Sequence, residues 1–147
     1  MKRIAIGADH AGFEYKQVII EQLFDMGFEV DDMGTSSSES VDYPDHVHPL
    51  ALKVHDGEIP HGILICGTGN GVAMTANKYS NVRCGLCWNK EIAVLIRKHN
   101  NANIVALPAR FITIDDALQI VKSFLDTEFE GGRHQRRIDK ITQGITC

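Results

Sequence analysis

Three glycines at alternating positions, Gly67, Gly69 and Gly71, separate a cysteine from a helix-compatible stretch beginning near Val72. The unit reads Cys66-Gly67-Thr68-Gly69-Asn70-Gly71, and the apolar run Ile63 to Cys66 leads into it. Glycines in this position permit a tight turn and let backbone N–H groups approach a ligand closely. A strand, a glycine turn and a helix start make an anion cradle, because free amides and the helix dipole point at one spot. A thiol at the lip of that cradle can act as base or nucleophile. The plain reading is that a cysteine ending a buried strand is inert packing, and the motif by itself favours that reading. The loop is not a dinucleotide fingerprint, because Val72 stands where G-x-G-x-x-G needs glycine, and no Gly-Lys-Ser/Thr follows to make a Walker A loop.

Other polar groups can be weighed the same way. Asp9-His10 follows an apolar strand, where Asp9 can cap a turn and His10 has less structural reason to be present. His99 ends an apolar helical stripe, and the helix dipole alone accounts for a histidine there. Asp45, His46, His48 and His55 resemble scattered metal ligands, but positions 46 and 48 do not share a helix face. A solvated helix face is the better reading, and no metal site is expected. Arg133 and Arg137 lie at i and i+4, so both guanidinia can reach one ligand. With Arg136 and Lys140 they make a basic terminal helix, which is either a solvated face or a seat for a small phosphate.

These groups need a frame. The chain has 147 residues, 44% hydrophobic and 23% charged, one soluble globular domain's worth over 1–147. The formal net charge of -4 argues against nucleic acid as a partner of the whole surface. No stretch reads as a signal peptide or membrane span, so the cytoplasm is the expected location and no membrane partner is expected. Of the four cysteines, Cys84 and Cys87 have C-x-x-C spacing but lie in a strand pattern, so they read as packed thiols. Cys147 reads as incidental.

Strands are expected at Arg3–Ala8, Phe28–Val30, Ile63–Cys66, Arg83–Cys87 and Ile104–Leu107. Helices are expected between them. One runs to about Met26 with Ile19, Ile20, Leu23 and Phe24 inward. Others cover Tyr43 to about His55, Val72 to about Lys78, and Asn89 to His99 with Ile92, Ile96 and His99 on one stripe. Thr113 and Asp116 resemble a capping box for the next helix. Gly131-Gly132 breaks the chain before a final helix from about 133 to 143. Strands alternating with helices imply a parallel sheet covered on both faces, with the ligand site beyond the C-terminal strand ends. Asp9 and His10, Cys66 with its glycine loop, and Arg110 all fall there.

Five segments together resemble the type B ribose-5-phosphate isomerase family. They are Gly7–Gly12, Ile65–Gly71, Ala76-Asn77-Lys78, Arg97–Asn100 and Glu130–Arg137. The family also holds galactose-6-phosphate and allose-6-phosphate isomerases. The resemblance runs in order from Lys2 to about Gln143. It implies a three-layer α/β/α Rossmann-like sandwich with a five-stranded parallel sheet, no cofactor and no metal. It also implies a homodimer with composite sites, or a tetramer of paired dimers. The implied reaction interconverts ribose 5-phosphate and ribulose 5-phosphate in the pentose phosphate pathway. By resemblance Cys66 is the base and Thr68 orients the reacting end. The amides of Gly67, Gly69, Asn70 and Gly71 hold the enediolate oxygen, and His99 opens the furanose ring. Asp9, His10 and Tyr43 flank the sugar. Arg110, Arg133 and Arg137 clamp the phosphate, and His99, Asn100 and Arg110 reach over from the neighbouring subunit. A second version of the family uses a glutamate just after the glycine loop. Asn70 is similar to that version, but Val72 occupies the glutamate position and takes no proton. Trp88 and Asn101 also depart from the family's pattern. The rival readings are an isomerase of galactose 6-phosphate or allose 6-phosphate and a non-catalytic nucleotide-binding module. The missing G-x-G-x-x-G and the clustered arginines count against the module.

Overall fold

The structure is a computed structural model that describes residues 2–144. Strand β1 (Lys2–Ala8) leads through a 3-10 turn (His10–Gly12) into α1 (Phe13–Asp25) and β2 (Phe28–Asp32). There follow α2 (Tyr43–His55), β3 (Gly62–Cys66), α3 (Asn70–Ala76) and β4 (Cys84–Leu86). Helix α4 (Lys90–Asn100), β5 (Ile104–Pro108), α5 (Ile114–Asp126) and α6 (Arg133–Gln143) complete the chain. All neighbouring strands pair in parallel, in the order β2-β1-β3-β5-β4. The fold is therefore the expected α/β/α sandwich. Its strand order reverses between β1 and β3, which lie side by side and lead to helices on opposite faces.

The alternation of side chains along each strand separates the two cores. Ile4, Ile6, Ile63, Ile65, Val105 and Leu107 face α1, α4 and α5. Ala5, Leu64, Cys66, Ile104 and Ala106 face α2 and α3. The central strands β3 and β5 are buried along their whole length, which is why they read as unbroken apolar runs. Helix α5 opens with the expected capping box: the Asp116 N–H donates to Thr113 Oγ1 at 3.0 Å and the Thr113 N–H to Asp116 Oδ2 at 3.1 Å.

Several expectations need correction. In α1, Ile19 and Leu23 are buried, but Phe24 is 59% exposed. The third position of that inner stripe is Lys16, fully buried, with Nζ 2.9 Å and 2.8 Å from the two carboxylate oxygens of Asp32. In α4 the buried positions are Ala93 and Arg97, while Ile92 and Leu95 are exposed. Arg97 displaces the expected stripe because its guanidinium is satisfied inside. It donates to the carbonyls of Ala102 at 2.6 Å and Thr127 at 3.1 Å, and to Asn101 Oδ1 at 2.9 Å. Helix α3 begins at Asn70, inside the glycine loop, and ends at Ala76. Cys147 lies outside the described residues.

Candidate active site

The strand ends bring one polar cluster together at the C-terminal edge of the sheet. The Asp9 N–H donates to the Ile65 carbonyl at 3.2 Å, which ties the end of β1 to the end of β3. The Ala109 and Arg110 N–H groups donate to the carbonyls of Cys66 and Gly67 at 2.9 Å and 3.0 Å, which ties β5 to the same point. This is the crevice that a reversal of strand order creates in an open parallel sheet.

Cys66 is buried at the base of this crevice, and the Gly69 N–H donates to its Sγ at 3.2 Å. Gly69 reaches that position with φ of 74°, a left-handed conformation that favours glycine. The Asn70 N–H turns to Thr68 Oγ1 at 3.3 Å, so two amides of the loop rest on the loop's own side chains. The Tyr43 ring lies against Gly71, where an added Cβ would come within 2.5 Å of it. The Arg110 side chain lies over Gly67, with Cδ and Nη1 3.2 Å from the position a Cβ would occupy. Asp9 Oδ1 accepts from the Ala11 and Gly12 N–H groups at 2.9 Å and 3.2 Å, so it does cap the following turn. His10 Nδ1 accepts from the Val41 N–H at 3.1 Å, which places the ring proton on Nε2.

A second cluster forms at the opposite end of the sheet. Helix α4 runs back against the strand direction, so His99 and Asn100 stand just before β5 begins. Helix α6 packs against this end of α4, and Gly131 and Gly132, with φ of 72° and 60°, make the turn that returns it there. His99, Asn100, Arg133 and Arg137 line a cavity of about 600 Å³ together with His134. The expected pairing of Arg133 with Arg137 is present, whereas Arg110 stands at the other edge. Within the chain Arg110 follows the C-terminal end of β5 and lies over Gly67.

The remaining thiols are of a different kind. Cys84 and Cys87 are three apart in and after β4, and their side chains join opposite cores, so neither a disulfide nor a shared metal fits them. Burial pushes the Cys87 thiol up to about 12, and burial, followed by the charges of Cys87 and Cys66, raises Cys84 further. The histidines of α2 do not converge. His46 Nδ1 lies 3.1 Å from the Met33 carbonyl, His48 Nδ1 lies 2.8 Å from the Tyr79 hydroxyl, and His55 Nδ1 accepts from the Asn81 N–H at 3.2 Å.

His134 escaped the sequence reading. Its ring stacks on His99 with centroids 4.5 Å apart and 18° between planes. A signal for it was present: His134, Ile138 and Ile141 recur at i, i+4 and i+7, and all three line the cavity against α4. Lys16 and Arg97 were also missed, because a buried cation in an apolar stripe shows only when its carboxylate or carbonyl partners are placed.

A doubly wound parallel sheet with a thiol and glycine loop beyond its switch point defines a Rossmann-like site for a small anionic ligand. The profile of the ribose/galactose isomerase family matches residues 4–141, and the chain belongs to that family. It is 45% identical to ribose-5-phosphate isomerase B of Escherichia coli over 142 residues, covering 97% of this chain and 95% of that protein. Among solved structures it is similar to a ribose 5-phosphate isomerase from Thermotoga maritima, with TM-score 0.93 and 48% identity over 95% of this chain and 97% of that one. It is also similar to ribose-5-phosphate isomerase B from Mycoplasma genitalium with bound ribulose-5-phosphate, with TM-score 0.92 and 45% identity over 95% and 93% of the two chains.

Proposed function

We propose that this chain interconverts ribose 5-phosphate and ribulose 5-phosphate by moving a proton between C1 and C2 through an enediolate. The observation that carries this reading is the Cys66 thiol held under the Gly67–Gly71 loop at the switch point of the sheet. Family membership and the ribulose-5-phosphate complex of the Mycoplasma genitalium relative support the substrate. In this mechanism Cys66 is the base, and the amides of Gly67, Gly69, Asn70 and Gly71 receive the charge that develops on the substrate oxygen. Substrate entry frees the Asn70 amide from Thr68, whose hydroxyl then orients the reacting end. Asp9, His10 and Tyr43 flank the sugar.

The second cluster supplies the rest. His99 opens the ring, Asn100 binds beside it, and Arg133 and Arg137 hold the phosphate, with Arg110 approaching from the Cys66 edge. One chain does not bring these halves together, so the working unit is a homodimer with composite sites. The exposed apolar residues Trp88, Ile92, Leu95 and Phe111 support such a pairing, with the Trp88 and Phe111 rings packed at 5.4 Å. The chain's relationship to sugar-phosphate isomerases supports a cytoplasmic location. Among the described residues no helix is long and apolar enough to cross a membrane. The test is a panel of five- and six-carbon aldose phosphates with adenine nucleotides as controls. Turnover of ribose 5-phosphate above the six-carbon sugars is expected, and preferential turnover of galactose 6-phosphate or allose 6-phosphate would replace this substrate with its rival.

A further inference from the structure

The end of α4 that carries His99 is bound by two guanidinium groups. Arg97 is buried, and its Nη1 donates to the Ala102 carbonyl at 2.6 Å and to Asn101 Oδ1 at 2.9 Å, while Nε donates to the Thr127 carbonyl at 3.1 Å. Arg83 reaches the same helix end from just before β4. Its Nε donates to the carbonyls of Asn100 and Asn101 at 3.1 Å each, and its Nη2 to that of Asn101 at 3.0 Å. Among the described residues neither arginine makes an ion pair with a carboxylate.

The carbonyls on both sides of His99 are therefore tied. That of Lys98 accepts from the Glu130 N–H at 3.2 Å, and that of Asn100 accepts from Arg83. Asn101 then turns with φ of 46°, the only non-glycine residue with positive φ among the described residues. The Asn101 and Ala102 N–H groups fold back onto the carbonyls of Arg97 and Ile96 at 3.2 Å and 3.0 Å.

Stability alone does not explain two arginines here. Burial lowers the pKa of both, and the charge of Arg83 lowers that of Arg97 further, so two partly desolvated like charges stand close together. Arg97 lies against Phe124, with Cζ 5.8 Å from the ring centroid, where an apolar side chain would pack without desolvating a charge. What a guanidinium adds is direction. Its planar fork of fixed donors sets the place of the carbonyls it binds, which neither an apolar side chain nor an ammonium does.

We propose that Arg83 and Arg97 are positioning residues that act through His99: together they fix the end of α4 so that the imidazole meets the sugar ring. The effect on the reaction rests on the isomerase reading and on the ring-opening role given to His99 above. The fixing of the helix end does not.

The test compares full-length wild type with Arg97→Lys and Arg83→Lys, which keep the charge and lose the fork. Initial rates are read on equilibrated ribose 5-phosphate and on the freshly generated open chain, and amide hydrogen exchange is read by NMR. Each variant should lose at least about tenfold on the cyclic form and stay within about twofold on the open chain, since misplacing a reacting group by about 1 Å costs up to about 100-fold. Either substitution added to His99→Ala should cost nothing further on the cyclic form, as for residues that act as a unit. Exchange should quicken at the Asn101 and Ala102 amides and stay as in wild type along β3 and β5. No loss on the cyclic form, equal losses on both forms, or losses that multiply with that of His99→Ala would overturn the positioning role. Unchanged exchange at Asn101 and Ala102 in both variants would overturn the fixing of the helix end. Should Arg97→Lys fail to fold, Arg83→Lys carries every comparison. Absence of isomerase activity in wild type would overturn the functional reading, and hydrogen exchange would still decide what the arginine pair holds.

Discussion

Cys66 and His99 stand at opposite ends of the same pair of adjacent strands. Cys66 closes β3, whereas His99 precedes β5, and β5 pairs with β3 in register from Gly62 opposite Ile104 to Cys66 opposite Pro108. At about 3.3 Å per residue, that register alone separates the two ends by roughly 13 Å. With the roles proposed for them, two groups so far apart within one chain serve one sugar only where a second chain contributes.

Subunit mixing tests this directly. Cys66→Ala and His99→Ala chains are each expected to be inactive. Mixed and allowed to exchange, they should recover about a quarter of wild-type activity, because half the dimers are mixed and each holds one intact site. No recovery despite proven exchange would show that each site is built from a single chain.

His99→Ala should impair cyclic substrate far more than substrate supplied in open-chain form, because ring opening is its assigned task. The comparison is initial rates on the equilibrated sugar and on the freshly generated open chain. Equal losses would remove His99 from that role.

The phosphate clamp should act on binding more than on turnover. Each charge-assisted contact is worth about 1.5–3 kcal/mol, or about 10- to 150-fold. Arg133→Ala and Arg137→Ala should therefore raise KM for ribose 5-phosphate strongly and barely change the poor turnover of free ribose. Lysine in either place should not restore binding, because the guanidinium fork fits phosphate oxygens better. Unchanged kinetics in Arg133→Ala, Arg137→Ala and Arg110→Ala would make α6 a solvated basic face.

His61 gives the fold an acid sensitivity. Its ring packs edge-on to Phe124 at 5.7 Å, and burial, then the charges of Arg97 and Lys2, hold its pKa down from 6.5 to about 4. Between these values the unfolded chain binds a proton that the folded chain refuses, so stability falls as pH falls. The slope is at most about 1.4 kcal/mol per pH unit. Urea unfolding at about pH 7, 5.5 and 4 should show this loss, and His61→Phe should flatten it. An equal slope in His61→Phe would place the sensitivity elsewhere.

The sheet was legible because β3 and β5 are buried on both faces and carry no polar interruption. The strand-end groups were legible for the same reason: Asp9, Cys66 and Arg110 each stand where an apolar run stops. What failed was helix rotation. Arg97 looks like a surface residue until the carbonyls of Ala102 and Thr127 are in place, and its burial shifts the inner stripe of α4 away from Ile92. The place of His99 was not legible from strand ends, because it stands at a helix end at the far edge of the sheet, and His134 joins it only through the packing of α6 on α4.

The most direct measurement is exchange of the C2 proton of ribose 5-phosphate with deuterated solvent, followed by NMR beside turnover for wild type and Cys66→Ala. Wild type should incorporate deuterium at C2 during turnover. Cys66→Ala should lose exchange and turnover together by about 10²- to 10⁴-fold, the usual worth of a positioned base. Parallel Cys84→Ala and Cys87→Ala proteins should retain both. Near-normal exchange and turnover in a folded Cys66→Ala protein would contradict the assignment of Cys66 as the base.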